Sequence, residues 1–178
     1  VGRNEKVSVE DFAQLSGQSR DTKYNSSMEK VAKTIETFCT YPMVEKPRLF
    51  LIVLFSFLTG NEDMHLKNFS VLSHGNKTIL TPAYDLLNTT IAIPNPTEEL
   101  ALPLNSKKRK LTRKDFVDYY GEKVLQLNRK TVDKLLLQVF QAAKGWEPLI
   151  RNSFLSSEKQ DQYISLLNNR KNVLFPES

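Results

Sequence analysis

The sequence has little of what secreted and membrane-spanning proteins are built from. Its 178 residues include one cysteine, Cys39, so no internal disulfide can form, and this favours a reducing compartment. The longest apolar run, Leu49–Leu58, is far shorter than the roughly 20 residues that a membrane-spanning helix needs. Residues Val1–Glu10 are polar and carry no signal-peptide pattern. We therefore expect a cytoplasmic protein without membrane contact.

Glycine is also scarce, and its placement matters for nucleotide binding. The six glycines are scattered, so no glycine-rich loop is present whose backbone amides could hold a phosphate. No strand with a candidate phosphate-binding lysine precedes the first predicted helix.

The composition that remains is typical of one globular domain spanning residues 1–178. Apolar residues make up 40% and charged residues 25% of the chain, which is enough for a sizeable core. The net charge of +5 is mildly basic. It suits a polyanion such as ATP, or a weak contact with nucleic acid, without choosing between them.

Apolar residues at helical spacing predict a fold that is mainly α-helical. Gly60 is predicted to end the central, almost wholly apolar helix. The predicted helices are Val9–Ser16 capped by Ser8, a helix capped by Ser26 or Ser27 that runs to about Phe38, the central Pro47–Leu58, Lys114–Tyr120 capped by Thr112, one around Val132–Phe140, and one capped by Ser156 or Ser157 that includes Tyr163 and Val173.

One β-hairpin interrupts the helices. Phe69–Leu72 and Thr78–Leu80 have strand composition, and the turn signal lies between them at His74–Lys77. The long, proline-bearing segment Asn88–Arg109 is predicted to be an irregular surface loop. The predicted class is thus mainly α, formally α+β.

The residues with chemical potential lie on either side of this hairpin. Asp63 and Asn68 are five residues apart in the loop after the central helix, and the hairpin returns the chain to Asp85. Protein kinases use this order: a loop Asp that orients the substrate hydroxyl, an Asn that binds Mg²⁺, and a later Asp that binds the metal bridging the phosphates. The spacing predicts a phosphotransfer site, although the Arg-Asp pair and the Asp-Phe-Gly motif of ordinary eukaryotic-type kinases are absent.

Longer strings resemble the signature of the HipA family, the bacterial serine/threonine-protein kinase toxins of toxin–antitoxin systems that are linked to growth arrest and persistence. The strings are Gly60-Asn61-Glu62-Asp63-Met64-His65-Leu66-Lys67-Asn68-Phe69-Ser70 and Leu80-Thr81-Pro82-Ala83-Tyr84-Asp85-Leu86, with weaker similarity at Glu10–Gln14, Lys23-Tyr24 and Leu100–Leu104. The resemblance covers most of the chain and is loose in the last third.

This resemblance implies roles for particular residues, with ATP and Mg²⁺ as the cofactors. Asp63 is implied to be the catalytic base. Asn68 and Asp85 are implied to hold Mg²⁺. The residues implied to line the nucleotide are His65, Leu66, Lys67, Asn68, Tyr84 and Asp85.

The resemblance also implies a helical, kinase-like C-terminal lobe whose hairpin lies next to the catalytic loop. The N-terminal kinase lobe is then absent from this chain, and the chain alone is expected to be incomplete and inactive. The implied partners are that lobe, a protein substrate phosphorylated on Ser or Thr, and a HipB-like DNA-binding antitoxin. DNA is expected to be contacted at most indirectly, through the antitoxin.

Three other interpretations stay open on the sequence alone. The chain is also compatible with a non-catalytic module that binds an antitoxin or an antitoxin–operator DNA complex. A metal-dependent phosphohydrolase would use Asp63, His65, His74 and Asp85. The basic run Lys107–Lys110 is typical of a solvated face, and less often of a nucleic-acid patch or a targeting signal.

Overall fold

Helices packed around one long central helix form the fold of the computed structural model, which describes residues 7–19 and 21–176. The helices are α1 (Phe12–Leu15), α2 (Met28–Phe38), α3 (Pro42–Thr59), α4 (Arg129–Ala143), α5 (Trp146–Arg151) and α6 (Ser157–Leu174), with a 3₁₀ turn at Leu66–Asn68 and a π-helix at Asp115–Val124. The strands are β1 (Ser8–Asp11), β2 (Ser70–His74) and β3 (Lys77–Leu80). The predicted class, mainly α with a small β component, is confirmed.

The central helix α3 is longer than predicted. It begins at Pro42, where a proline costs no hydrogen bond, and Pro47 lies inside the helix. The predicted start at Pro47 was therefore wrong. The helix ends at Gly60 as predicted, and it packs against α2, α4 and α6. Its fully buried side chains form the middle of the core: Leu49, Phe50, Val53, Leu54, Phe57 and Leu58.

The hairpin is part of a three-stranded antiparallel sheet in the order β1-β2-β3. The pairs run from Ser8↔Ser73 to Asp11↔Ser70 and from Val71↔Leu80 to His74↔Lys77. The predicted helix Val9–Ser16 is wrong in its first part, because that part pairs with the free edge of β2. Asp11, and not Ser8, caps the helix: its carboxylate accepts from the Gln14 N–H at 2.9 Å.

The remaining predictions hold with local corrections. Segment 88–109 is irregular as predicted, but it is not only a surface loop, because Leu100, Ala101, Leu102 and Leu104 are fully buried. The predicted helix Lys114–Tyr120 is a π-helix that extends to Val124. Trp146 begins α5 and packs edge-on against Phe55, with ring centroids 5.3 Å apart.

The C-terminal helices have the predicted caps or positions. Ser156 caps α6 and accepts from the Lys159 N–H at 3.3 Å. Asn128 caps α4 and accepts from the Thr131 N–H at 2.9 Å. Within the described part of the chain, the helices lack the combination of length and apolar character that crossing a membrane requires.

Candidate functional site

The candidate site begins where α3 stops. Gly60 has a φ of 71°, a left-handed conformation that glycine adopts without a steric penalty. A Cβ at this position would lie 2.5 Å from Leu166 Cδ2 and 2.7 Å from Thr90 Oγ1. Because Leu166 of α6 and Thr90 both lie against it, Gly60 fixes the direction in which the loop that carries Asp63 leaves the helix.

Asn61 connects the two halves of the site. It is buried, and its side-chain oxygen accepts from the Asp63 N–H at 3.2 Å. Its Nδ2 donates to the Asp85 carbonyl at 3.3 Å. The same side chain therefore holds the backbone of the predicted base and the backbone of the second predicted metal ligand. No local sequence pattern pointed to this role, although Asn61 lies within the family-like string.

Asp63 is both anchored and accessible. Its carbonyl accepts from Asn68 Nδ2 at 2.9 Å and from the His65 N–H at 2.8 Å. The Tyr24 hydroxyl donates to Asp63 Oδ1, while 46% of the Asp63 side chain remains exposed. Burial and this carboxylate raise the pKa of Tyr24 to about 12, so the phenol stays a donor at neutral pH. Sequence reasoning missed Tyr24 as a partner of the base.

His65 is buried beneath this contact. Only 5% of the residue is exposed, and its Nε2 lies 2.6 Å from Lys23 Nζ. Because an ammonium group only donates, Nε2 accepts, and the ring is neutral with its proton on Nδ1. Burial lowers the pKa of His65, which favours the same form, although the charges of Asp63 and Asp85 both reach the ring and oppose the shift. Asp63 Oδ1 lies 3.9 Å from Nε2 of this neutral imidazole.

The other predicted nucleotide-lining residues lie around the 3₁₀ turn. Leu66 is buried in the core, and Lys67 forms an ion pair with Asp11 at 2.7 Å. The Tyr84 hydroxyl donates to the Lys67 carbonyl at 2.8 Å and lies 2.5 Å from Ser70 Oγ. These contacts fix the turn, and the roles of these residues toward a nucleotide stay predictions.

Glu62 and Arg170 form a buried ion pair that the sequence did not indicate. The side chain of Glu62 is 7% exposed and that of Arg170 is 8% exposed. Arg170 Nη2 lies 3.4 Å from Glu62 Oε1, and its Nη1 donates to the carbonyls of Phe57 and Glu99, each at 3.1 Å. The Thr90 hydroxyl donates to the same Glu62 oxygen at 2.7 Å. One arginine of α6 thereby joins the end of α3, the loop that carries Asp63, and segment 88–109.

The donor set at the site fits Mg²⁺. Asn68 donates through its Nδ2 to the Asp63 carbonyl, which leaves Oδ1 as the amide atom that can accept a cation. Asp85 is exposed, has a φ of 55°, and makes no ion pair with the described residues. One amide and one carboxylate oxygen, completed by water and phosphate, are what this cation accepts. No cluster of three or more His, Cys, Asp or Glu able to hold a metal occurs within residues 7–19 and 21–176, and His74 is exposed at the end of β2.

Comparison with known proteins gives a consistent family. A family model described as the HipA-like C-terminal domain matches residues 2–146. The chain is 30% identical over 159 residues to a Sinorhizobium fredii protein named "Putative kinase Y4dM", and 25% identical over 170 residues to a Haemophilus influenzae protein named "Putative kinase". These matches cover 87% and 86% of this chain but 38% and 49% of the relatives, so the chain spans less than half of either.

Two solved structures share the fold. One is HipA of Shewanella oneidensis, from a complex of HipA, HipB and operator DNA, with a TM-score of 0.74 and 20% identity over 97% of this chain and 46% of that one. The other is the Helicobacter pylori proinflammatory kinase CtkA, with a TM-score of 0.65 and 19% identity over 97% of this chain and 70% of that one. The fold is therefore that of a HipA-like, kinase-like C-terminal lobe.

Proposed function

The chain belongs to the family of HipA-like C-terminal domains, and from this premise we propose that it is the catalytic lobe of a protein kinase that transfers the ATP γ-phosphate to a Ser or Thr hydroxyl. The observation that carries the proposal is the arrangement around Asn61. One buried side chain holds the backbones of Asp63 and Asp85, and Asp63 in turn orients Asn68.

In this proposal Asp63 acts as the base. Tyr24 occupies its Oδ1, which leaves Oδ2 to receive the proton of the substrate hydroxyl. The hydroxyl oxygen forms a bond to the γ-phosphorus as the bond from that phosphorus to the β–γ bridging oxygen breaks, and ADP leaves with the electron pair. The hydroxyl proton ends on Asp63, and the products are a phosphorylated Ser or Thr and ADP.

Asn68 and Asp85 are the residues that would hold Mg²⁺. When bound, the cation neutralises the charge of the phosphates. The hydrogen bond from Asn68 Nδ2 to the Asp63 carbonyl determines which atom of the amide faces the cation. A loss of that bond would let the amide rotate, so the metal ligand and the base depend on one another.

We further propose that ATP is clamped together with an N-terminal kinase lobe outside these residues, and that a HipB-like antitoxin is a partner in a toxin–antitoxin system. Support comes from the share of the relatives that the chain spans, and from its likeness to HipA in a complex with HipB and operator DNA. DNA would be reached through the antitoxin. Co-elution of the chain with a HipB-like protein encoded beside it tests this; separate elution at micromolar concentrations contradicts it.

The catalytic proposal is tested with Asp63→Asn and Asp85→Ala, in the chain joined to any N-terminal lobe that its reading frame encodes. Calorimetry measures Mg-ATP binding, and transfer of labelled γ-phosphate to protein measures activity. We expect Asp63→Asn to keep Mg-ATP binding and to lose at least about 100-fold in transfer rate, since general bases contribute that much. Asp85→Ala should lose the Mg²⁺-dependent part of binding.

Asp161→Asn is the matched control. This carboxylate is exposed on α6 and pairs with Arg151 alone among the described residues. It should leave binding and transfer unchanged. An undiminished transfer rate in Asp63→Asn would remove Asp63 as the base, and Mg²⁺-independent ATP binding by the unaltered protein would remove the assigned metal ligands.

A further inference from the structure

A basic groove lies between residues 97–98 and 106–110. It has a volume of about 730 Å³ and is lined by Thr97, Glu98 and residues 106–110. Four consecutive basic residues, Lys107 to Lys110, face one carboxylate there. Lys107 pairs with Asp115 at 2.9 Å and Lys108 with Glu98 at 3.2 Å. Arg109 and Lys110 are exposed and have no ion-pair partner among the described residues. The groove therefore presents unneutralised positive charge.

The backbone that carries these cations is fixed. Leu104 and Lys107 exchange two hydrogen bonds of 2.8 and 2.9 Å across a two-residue turn, in which Asn105 and Ser106 have φ values of 51° and 61°. Left-handed backbone at non-glycine residues costs energy and persists where the surroundings hold it. Here the Asn105 side chain donates to buried Asp115 at 2.9 Å. Hydrogen bonds thus hold the turn that precedes the basic residues in one conformation. This lowers the conformational entropy that is lost when an anion binds.

The groove is connected to the base through a short chain of contacts. The Glu99 N–H donates to the Lys108 carbonyl at 2.6 Å, and the Glu99 carbonyl accepts from Arg170 at 3.1 Å. Arg170 pairs with Glu62, the neighbour of Asp63. Glu98, which lines the groove, also lies close enough to Tyr24 for its charge to raise the pKa of that phenol, and the Tyr24 hydroxyl donates to Asp63. The groove and the proposed base therefore share one neighbourhood.

We propose that the basic groove docks an acidic segment of the protein substrate and so selects Ser or Thr residues in an acidic sequence context. The inference rests on the proposed kinase function and adds the class of substrate. A protein segment fits better than a nucleic acid, because none of the described residues that line the groove is aromatic and able to stack on a base.

The test is binding of labelled peptides by fluorescence anisotropy. One peptide carries a serine flanked by four glutamates, and its partner carries glutamines in their place. We expect the acidic peptide to bind more tightly, with an affinity that falls as salt is raised. Arg109→Glu combined with Lys110→Glu should weaken its binding about tenfold or more, because two attractive charges become repulsive.

The control reverses two charges elsewhere. Lys130→Glu combined with Lys134→Glu changes the net charge equally on exposed positions of α4, and it should alter peptide binding less than about twofold. Arg109→Gln with Lys110→Gln gives a milder version should the reversed charges disturb folding. Equal binding of both peptides, or equal loss in the control variant, would overturn the proposal.

Two further arms separate other ligands. If a 20-nucleotide single-stranded DNA displaces the acidic peptide at a lower concentration than unlabelled peptide does, the groove is a nucleic-acid site and the proposal is wrong. It is also wrong if the groove variant loses Mg-ATP binding. Charge-dependent peptide binding without any phosphate transfer would keep the groove assignment and refute the kinase proposal instead.

Discussion

Replacing Arg170 with Met should destabilise the protein by about 3–5 kcal/mol, the typical cost of leaving one partner of a buried ion pair without the other. Glu62 would keep only the Thr90 hydroxyl as a side-chain donor, and the Phe57 and Glu99 carbonyls would lose theirs. Methionine is apolar and flexible enough to fill the space, so the loss reports the charge and the hydrogen bonds more than a cavity. Such a loss is a large part of the 5–15 kcal/mol that stabilises a typical domain.

Urea unfolding followed by circular dichroism measures this change. A second variant shows its origin: adding Glu62→Gln to Arg170→Met removes the stranded carboxylate and should recover much of the loss. Arg129→Met is the matched control, since Arg129 also faces three carboxylates but on the surface. Its effect should be far smaller. If Arg170→Met unfolds within about 0.5 kcal/mol of the unaltered protein, as an ordinary surface change does, the bracing role of Arg170 is refuted.

The pH dependence gives an independent check on the same pair. Burial raises the pKa of Glu62 above its usual 4.5, even though Thr90 and Arg170 oppose the shift. A carboxyl with a raised pKa favours the folded state most below its unfolded pKa, and that contribution is lost as pH rises through the folded pKa. Without Arg170 the pKa should rise further. The deficit of Arg170→Met should therefore shrink toward pH 4.5 and grow toward neutrality, and a flat deficit would contradict the assignment.

Three other changes test the fold around the site. Gly60 and Gly75 both have a positive φ (71° and 57°), but of the two only Gly60 has close neighbours. Gly60→Ala should therefore lower the free energy of unfolding in urea by roughly 1–3 kcal/mol more than Gly75→Ala does; equal losses would contradict this. Asp115 has a pKa lowered from 3.8 to about 2, because hydrogen bonds from Asn105, Thr112 and Lys107 outweigh burial. The stability that this provides, about 2 kcal/mol, is present above pH 3.8 and lost as pH falls through about 2, so the deficit of Asp115→Asn should vanish over that window. Burial, with Glu45 nearby, raises the pKa of Cys39 to about 11, so iodoacetamide at pH 8 should react slowly before unfolding and rapidly after it; equal rates would place the thiol at the surface.

Local patterns predicted the elements whose causes are local. Ser27 and Ser156 sit directly before apolar stripes, and both act as N-caps. Gly60 ends α3 because the residue at that position adopts a left-handed conformation, and a glycine in the sequence predicts such a helix end. The hairpin was found for the same reason: its two-residue connection, Gly75-Asn76, carries a turn signature of its own.

Elements that depend on a distant partner were missed. The segment Ser8–Asp11 has no strong preference for a strand, and it forms β1 because β2 offers an unpaired edge more than 50 residues later. The early start of α3 was missed for a different reason. Pro42 and Pro47 are both typical of a first helical turn, so the sequence alone does not choose between them. The helix continues through Pro47 because α3 packs against its neighbours, and that packing is not visible in local sequence.

The candidate site shows the same division. The spacing of Asp63, Asn68 and Asp85 predicted a site at a loop to which a hairpin returns the chain. In the structure Asn61 bonds to the backbones of Asp63 and Asp85, and the roles of the three residues stay predictions. The groups that hold them were not predicted. Tyr24 and Lys23 come from a polar stretch with no periodicity, 39 and 42 residues before the atoms that they contact. A polar loop residue gives no sign of the partner that it will reach.

The Glu62–Arg170 pair is a further contact between residues far apart in the sequence that no local pattern predicts. Its members are 108 residues apart, and Arg170 lies beyond residues 2–146, the part that matches the family. A charged residue on a helix is normally solvated, so each member alone indicates a surface position, and only their joint burial makes either stable. The pair still touches the loop that carries Asp63, as does Leu166 against Gly60. Helix α6 therefore packs against the loop that carries Asp63, and removal of α6 should disorder that loop before it disturbs the sheet.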